Sequence, residues 1–237
     1  MNIFRRVEQK YLITKEQHDA LLEALGDRLV KDQYFYNDMY NLYLDTPNHD
    51  LIIQSMEKPM YKEKIRVRSY GLAENNDSKV YLEIKKKFDG VGNKRRISMT
   101  LGEFWKYLEK GTKPKDANPH TLAEMDWAFA KYQLQPSILI NYERYSYYMR
   151  GNKDLRITFD HNVRYRTNKL DLTNNDDMYP VIDKNTYIME IKSLDSLPLD
   201  LSRLLAKLKI YPRSFSKPKN AYIKSLERKK QHVRKHS

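Results

Sequence analysis

Charged and apolar positions alternate along several segments of this sequence, and the pattern is clearest in its second quarter. Lys64, Arg66 and Arg68 are spaced two apart, with apolar residues between them. Because successive side chains of a β-strand point to opposite faces, this spacing predicts a strand with a basic face and an apolar face. The same alternation recurs in residues 80–87 and 94–99, so we expect three neighbouring strands with a shared cationic face.

Strand signals of the same kind occur in other parts of the chain. They cover residues 4–13, 40–46, 138–149, 155–160, 163–166 and 187–193. One interpretation is an antiparallel sheet whose polar face is exposed to solvent. The other is a sheet closed into a barrel, with helices over its apolar outside and charge directed into a lumen. The repeated bias towards Lys and Arg favours the closed barrel, because a solvated face would carry more Thr, Ser and Gln.

Helices are predicted where capping signals precede apolar residues at helical spacing. Thr14 with Gln17, and Thr100 with Glu103, have the spacing of a capping box. The predicted helices cover residues 14–25, 49–56, 101–110, 122–134 and 200–211, the first ending at Gly26 and the fourth at Pro136. Residues 111–119 and 170–180 are predicted loops, residues 211–222 an irregular segment, and residues 227–237 the basic extension of a helix. The pattern predicts an α+β fold in a single domain over residues 1–225, followed by a basic tail at 226–237.

The composition adds a strong positive charge. The chain has 44 Lys and Arg against 31 Asp and Glu, a formal net charge of +13, which attracts anions such as nucleic acid, anionic membranes or phosphorylated small molecules. It has no cysteine, which excludes disulfides, thiolate metal sites and a cysteine nucleophile. No run of about 18 apolar residues occurs, and the start lacks the apolar core of a signal peptide. We therefore expect a cytoplasmic protein without a membrane segment.

A lumen lined by Lys and Arg needs counter-charges, since like charges repel in a confined space. The acidic residues Glu8, Glu83, Asp160 and Glu190 fall on the predicted polar faces and would supply some of them. Bound phosphate would supply the rest, so a polyanion is the expected ligand.

Seven short motifs follow one another along the chain. They are Glu8-Gln9-Lys10-Tyr11, Arg66-Val67-Arg68, Glu83-Ile84-Lys85, Asn141-Tyr142-Glu143-Arg144, Arg156-Ile157-Thr158-Phe159-Asp160, Glu190-Ile191-Lys192 and Ser214-Phe215-Ser216-Lys217. In this order they resemble VTC-type polyphosphate polymerase domains, which belong to the CYTH or triphosphate tunnel metalloenzyme superfamily. The resemblance covers nearly the whole chain, from residue 3 to residue 222.

This resemblance implies an antiparallel tunnel of about eight strands, in which basic residues bind a chain of phosphates and an acidic residue holds Mn²⁺ or Mg²⁺. The implied catalytic residues are Arg66, Arg68, Arg144, Arg156 and Lys217. The implied substrate-binding residues are Lys10, Lys85, Lys94, Arg96, Tyr142 and Ser216, the last two as hydroxyl donors. The implied metal ligands are Glu190, as the main ligand, with Glu8, Glu83 and Asp160.

Two positions depart from the family pattern. Arg6 stands where the superfamily's opening motif has its first Glu, which leaves fewer carboxylates for a second metal. Pro218 follows Lys217 where VTC domains usually have an aromatic residue, so the resemblance does not define the local geometry there.

The implied activity is transfer of the terminal phosphate of ATP to a growing polyphosphate chain, with release of ADP. Phosphoryl transfer needs mainly positioning and charge neutralisation, which a cationic tunnel with one metal provides. If water enters instead, the same site is a tri- or polyphosphatase, and a non-catalytic polyanion-binding module is the third interpretation. No helix-turn-helix, RNP-like aromatic motif or zinc spacing is present, so we do not expect nucleic acid as a partner. The basic tail could contact an anionic membrane or a partner protein.

Overall fold

Residues 7–57, 59–194 and 196–236 are described by the structure, a computed structural model. The strands are β1 (Val7–Thr14), β2 (Leu29–Asp45), β3 (Tyr61–Tyr70), β4 (Lys79–Phe88), β5 (Val91–Thr100), β6 (Gln135–Met149), β7 (Asn152–Arg166), β8 (Tyr179–Pro180) and β9 (Thr186–Ser193). The helices are α1 (Lys15–Leu25), α2 (Asp50–Met56), α3 (Leu101–Lys110), α4 (Pro119–Tyr132), α5 (Leu199–Lys207) and α6 (Lys217–His236). The fold is therefore α+β, as predicted.

A single large sheet contains the strands. Its hydrogen-bonded neighbours follow the order β1-β9-β7-β6-β2-β3-β4-β5, and the short β8 pairs with β7. The pairs β1/β9, β2/β3, β3/β4, β4/β5 and β7/β9 are all antiparallel. Within the described residues, no hydrogen-bonded pairing joins the two ends of this order, so the closed barrel stays a prediction.

The chain divides into two compact units, and several segments contribute to each. The first unit contains Met1–Asp38, Tyr142–Val163 and Ile182–Ser216, and the second contains Met39–Asn141, Arg164–Val181 and Lys217–Ser237. Because β2, β6 and β7 each continue from one unit into the other, the boundary does not coincide with a linker. The single domain over residues 1–225 stays a prediction.

In the first unit, α1 and α5 cover one face of strands β1, β7 and β9. The buried cluster there includes Tyr11, Ile13, Leu21, Leu25, Ile157, Phe159, Met189, Ile191, Leu201 and Leu205. Burying large apolar side chains stabilises a fold by about 1.5 to 3 kcal/mol each, so this face must be the covered one. The charged residues of the same strands therefore lie on the opposite face.

In the second unit, α3 and α4 cover strands β3, β4 and β5 in the same way. The buried cluster includes Ile65, Val67, Val80, Leu82, Ile84, Ile97, Phe104, Tyr107, Met125 and Ala128. The alternation in the sequence thus predicted the apolar faces of these strands correctly. Lys64, Arg66 and Arg68 point to the opposite, uncovered face.

Both predicted capping boxes are present. Thr14 accepts a hydrogen bond from the backbone of Gln17 while the Gln17 side chain accepts one from the backbone of Thr14, and Thr100 and Glu103 repeat the arrangement. These bonds satisfy donors that a helix start otherwise leaves unpaired. Gly26 ends α1 with a φ of 44°, a conformation that glycine adopts without a steric penalty.

Two strands are longer than the sequence pattern predicted. Strand β2 begins at Leu29, eleven residues before the predicted start at residue 40. The earlier part was not predicted because the run Tyr34-Phe35-Tyr36 lacks the alternation that marks a half-buried strand. Strand β7 is continuous over Asn152–Arg166, whereas two separate strands were predicted. Asn162, between the two predicted strands, has a φ of 51°, and the strand continues through it. The part of the first predicted strand at residues 4–6, with Arg6, lies outside the described residues.

Two helix boundaries also differ from prediction. Helix α4 starts at Pro119, where proline suits the first turn and the Asn118 side chain caps Thr121. It ends before Gln133, whose backbone has the left-handed conformation. The prediction that Pro136 ends the helix was therefore wrong, since Pro136 lies in β6. Helix α6 starts at Lys217 inside the segment predicted to be irregular, and Pro218 again stands in the first turn.

The predicted basic tail is part of α6, which runs to His236 and confirms that these residues extend a helix. In the part of the chain that the structure describes, no helix combines the length and the apolar composition that crossing a membrane requires.

Candidate functional site

The uncovered face of the first unit carries an ordered set of charged residues. In the antiparallel registers, Lys10 and Thr158 both stand opposite Glu190, and Arg156 stands opposite Lys192. Directly opposed residues of an antiparallel pair point to the same face, so these side chains are neighbours. We call the set Glu8, Lys10, Arg144, Arg156, Thr158, Asp160, Glu190 and Lys192 the first polar face.

Glu190 is the centre of this face. Its carboxyl group is buried, hydrogen-bonded to that of Glu8, and lies 3.2 Å from Lys192 Nζ and 3.9 Å from an Arg144 nitrogen. Burial raises the pKa of Glu190, but the Glu8 hydrogen bond and the neighbouring cations outweigh it and hold that pKa well below its usual value. Two carboxyl groups in contact must share a proton or a cation, since like charges repel.

Arg144 is held by a second carboxylate. Its Nε lies 2.6 Å from Asp160 Oδ1 and its Nη2 2.7 Å from Oδ2, a bidentate pair, and Asp160 is fully buried. Burial lowers the pKa of Arg144, but Asp160 more than compensates and raises it above its usual value. The guanidinium also lies 5.4 Å from the centre of the Tyr142 ring. Because Arg144 engages both oxygens of Asp160, the metal role predicted for Asp160 has less structural support than that of Glu190.

The first polar face offers oxygen ligands for one cation. Mg²⁺ and Mn²⁺ prefer carboxylate, hydroxyl and water oxygens, and Glu8, Glu190 and Thr158 present such groups together. Thr158 Oγ1 is buried and has no hydrogen-bond partner among the described residues. Across those residues, no group of three or more His, Cys, Asp or Glu is arranged as a metal site. Glu8, Glu190 and Thr158 therefore offer two carboxyl groups and one hydroxyl, and a cation held there would take its other ligands from water or substrate.

The uncovered face of the second unit is built around Glu83. Arg66 Nε and Nη2 lie 2.8 and 2.7 Å from Glu83 Oε2, Arg68 Nε lies 3.9 Å away, and Lys94 pairs with Oε1. Tyr43 and Asn41 stand opposite Arg66 and Arg68 in the register of β2 and β3. We call the set Asn41, Tyr43, Arg66, Arg68, Glu83, Lys85, Lys94 and Arg96 the second polar face.

The cations around Glu83 determine its charge. Burial raises the pKa of this carboxyl group, but Arg66, Arg68 and Lys94 outweigh it and bring the pKa to about 2. The pKa of Lys94 is lowered, because burial, together with the neighbouring Arg68 and Arg66, outweighs Glu83, which raises it. Glu83 is thus a counter-charge that orients its arginines, and the contacts described for it are with cations.

Hydrogen bonds hold the arginines of the second polar face in position. Arg66 Nη1 donates to the Tyr43 hydroxyl at 3.2 Å, and Arg68 Nε donates to Asn41 Oδ1 at 2.9 Å. Lys85 and Lys94 stand opposite each other and are exposed, and the Arg96 guanidinium lies 4.8 Å from the centre of the Tyr81 ring. The face therefore combines two guanidinium groups held by hydrogen bonds with further cations at its exposed side.

The remaining predicted residues lie in different surroundings. Arg156 belongs to the first polar face, but its side chain is 57% exposed and lies 3.8 Å from Asp32. Ser216 and Lys217 are both partly buried, and Lys217 is the first residue of α6. The unit boundary falls between these two residues. Their roles as hydroxyl donor and catalytic cation stay predictions.

Arg164 is a further polar residue of β7 that was not predicted as a site residue. Its Nη2 donates to Oδ1 of the fully buried Asn141 at 2.7 Å, and its Nε is buried without a hydrogen-bond partner among the described residues. The alternation Arg156, Thr158, Asp160 continues to this position, which was the available signal. It was overlooked because residues 163–166 were assigned to a separate strand. Lys192 was not predicted as a site residue, because its position opposite Glu8 and Arg156 depends on strand registers that the sequence does not show.

Comparisons with known proteins agree with this picture. The VTC domain model matches residues 5–226 of the chain. The fold is similar to that of a Bacillus halodurans protein described as a candidate adenylate cyclase, at 14% identity and a TM-score of 0.54, over 89% of this chain and 93% of that chain. A protein of the same description from Vibrio parahaemolyticus is 14% identical over 91% of this chain and 96% of that chain, with a TM-score of 0.46.

A Pyrococcus horikoshii protein is 15% identical over 94% of this chain and 99% of that chain, also with a TM-score of 0.46. Among curated proteins, none matches the sequence. The family match extends over most of the residues and over both polar faces. The chain belongs to the VTC domain family.

Proposed function

We propose that this protein transfers the terminal phosphate of ATP to a growing polyphosphate chain, with release of ADP and with a divalent cation as cofactor. The observation that carries the proposal is the buried Glu190 with Glu8 as its diagonal neighbour, inside a set of cations formed by Lys10, Lys192 and Arg144. A carboxylate pair suits a metal ion, and the surrounding cations suit phosphate oxygens.

Mn²⁺ or Mg²⁺, when bound, supplies neutralisation of the charge on the phosphate oxygens. Glu190 and Glu8 would hold the ion, and the unpaired hydroxyl of Thr158 would provide a further oxygen. Arg144 orients the site from its position between Asp160 and Glu190. Lys10 and Lys192 would bind phosphate oxygens that the metal does not reach.

The second polar face would also bind phosphate. Arg66 and Arg68 present guanidinium groups that Glu83, Tyr43 and Asn41 already orient, so little side-chain entropy is lost when phosphate binds. Lys94, Lys85 and Arg96 would bind further phosphate oxygens from the exposed side of this face. The closed tunnel that the resemblance implies is part of the same proposal, since a chain substrate needs a continuous basic path.

Phosphoryl transfer does not require a covalent intermediate with the protein. The transition state of phosphoryl transfer needs in-line positioning and neutralisation of the oxygens, and the positioned arginines and lysines provide both. Whether the acceptor is a phosphate chain or water then decides between polymerase and phosphatase. We favour the polymerase because the motifs around Tyr142 and Ser216 resemble the VTC branch of the superfamily.

The test is product analysis after incubation of the purified protein with ATP and Mn²⁺. We expect label from the terminal phosphate of ATP to appear in long chains, with ADP formed in equal amount. Label released only as free phosphate would instead make the protein a phosphatase and contradict the proposal. Binding of polyphosphate without any turnover would leave only the polyanion-binding function.

A further inference from the structure

The hairpin between β4 and β5 has an apolar tip that the phosphate chemistry does not use. Phe88 is 59% exposed and Val91 69% exposed, and the two residues pair across the hairpin. Met60 is 68% exposed, and its carbonyl accepts a hydrogen bond from the backbone of Asp89 at 2.9 Å. Phe88 and Val91 thus form a small apolar surface at one exposed end of the second unit, and the exposed Met60 adjoins it through the hydrogen bond of its backbone to the turn.

The turn that connects the two strands is tight. Asp89 and Gly90 have φ values of 43° and 81°, the left-handed pair of a two-residue type I′ turn. Such a turn fixes the register of the hairpin, so Phe88 and Val91 are held on the same side of it. The apolar tip is therefore a defined surface.

Basic residues surround this tip. Residues 85–96 contain six basic residues and one acidic residue, Asp89. Lys62 stands opposite Lys87 next to the tip. Two residues further from the tip, Lys64 and Lys94 both stand opposite Lys85. An apolar end with a belt of lysines matches an anionic bilayer surface, where the apolar groups enter the headgroup region and the ammonium groups meet lipid phosphates.

We propose that the apolar tip formed by Met60, Phe88 and Val91 docks this protein on anionic membranes. A protein partner fits the tip less well, because a stable protein interface buries about 800 Å² on each side, and three residues at the end of a hairpin are too few. A membrane needs no complementary surface and accepts a small convex group. Met60, Phe88 and Val91 lie outside both polar faces, whereas Lys85 and Lys94 of the belt belong to the second polar face, so the docking is tested at the apolar residues.

The first measurement uses the absence of cysteine from the chain. Val91→Cys can be labelled at a single position with an environment-sensitive dye. We expect a blue shift of its emission with phosphatidylcholine vesicles that contain phosphatidylserine, and a much smaller one with phosphatidylcholine alone. Leu199→Cys, at a position 64% exposed in the first unit, is the matched control and should not shift. No shift at position 91, or equal shifts at both positions, would overturn the proposal.

The second measurement is co-flotation of the unlabelled protein with the same vesicles. Phe88→Ser combined with Val91→Ser should weaken binding by about tenfold or more, since two large side chains lose their burial. Asp89→Asn should strengthen binding by about fivefold, because it removes a negative charge near the lipid and keeps a residue that suits the turn. Leu199→Ser should leave binding unchanged, and ATP turnover in solution should be the same in all these variants.

Other results would assign the tip differently. If the serine variant binds anionic vesicles as well as the unchanged protein does, charge alone accounts for the attachment and the tip has no role. If the dye at position 91 shifts without vesicles as the protein concentration rises, the tip contacts a second copy of this chain. Either result contradicts membrane docking through the hairpin.

Discussion

Glu8 and Glu190 lie on the neighbouring strands β1 and β9, and both point to the same face of the sheet. They are diagonal neighbours, because Glu8 stands opposite Lys192 and Glu190 opposite Lys10. Each carboxylate therefore has a lysine on the facing strand. This arrangement keeps the pKa of Glu190 low while burial acts against it, so the pair is ready to share a cation.

Replacing Arg144 by Ala should lower stability strongly. Asp160 is fully buried and would lose the guanidinium that engages both of its oxygens. Breaking a buried ion pair from one side costs about 3 to 5 kcal/mol. A large drop in melting temperature should appear in thermal unfolding. Arg156→Ala is the control, since an exposed arginine should change stability by less than about 0.5 kcal/mol, and equal melting temperatures of the two variants would contradict the pairing.

Arg66→Ala and Arg156→Ala should each weaken triphosphate binding. An arginine makes charge-assisted hydrogen bonds to phosphate worth roughly 1.5 to 3 kcal/mol each, so affinity should fall by about tenfold or more. Titration calorimetry with tripolyphosphate measures the change. Lys169→Ala removes an exposed cation that pairs with Asp177 and should leave the affinity as it is. Unchanged affinity in both arginine variants would remove these residues from the site.

Stability should depend on pH through Glu83. Its folded pKa is about 2, below its ordinary value of 4.5, so the ionised carboxylate contributes stability above that ordinary value. This contribution is lost as the pH falls towards the folded pKa, and it amounts to about 3 kcal/mol. Glu83→Gln should unfold more easily than the unchanged protein near neutral pH, and the difference should shrink between pH 4.5 and 2. A difference in denaturant midpoint that stays constant over this window would contradict the ion-pair role.

The sequence predicted which faces of the strands are apolar, and it predicted two helix starts to the residue. Ile65, Val67 and the capping box at Thr100 are local signals, because the spacing or the cap is determined by residues close in the chain. The extra length of β2 was not predictable in this way. Its aromatic run Tyr34-Phe35-Tyr36 has no alternation, and its strand character comes from pairing with distant segments.

The candidate site was predictable only in part. The residues Arg66, Glu83 and Glu190 came from motif resemblance, but the pairing of Glu190 with Glu8 depends on the register between the first and the last strand. Arg164 was missed because Asn141, its hydrogen-bond partner, comes close only in the folded chain. Registers between distant strands are set by packing of the whole sheet, which local spacing does not encode.

The most direct measurement is a Mn²⁺ titration of ATP turnover in Glu190→Gln, with melting temperature measured on the same sample. We expect a folded variant without turnover at any Mn²⁺ concentration, because an amide is a poor ligand for a hard divalent cation. Polyphosphate affinity without metal should persist or rise, since a negative charge has been removed. Asp177→Asn, which changes an exposed carboxylate, should keep both turnover and metal dependence. Normal turnover of Glu190→Gln with an unshifted Mn²⁺ dependence would contradict the assignment of this pair as the metal site.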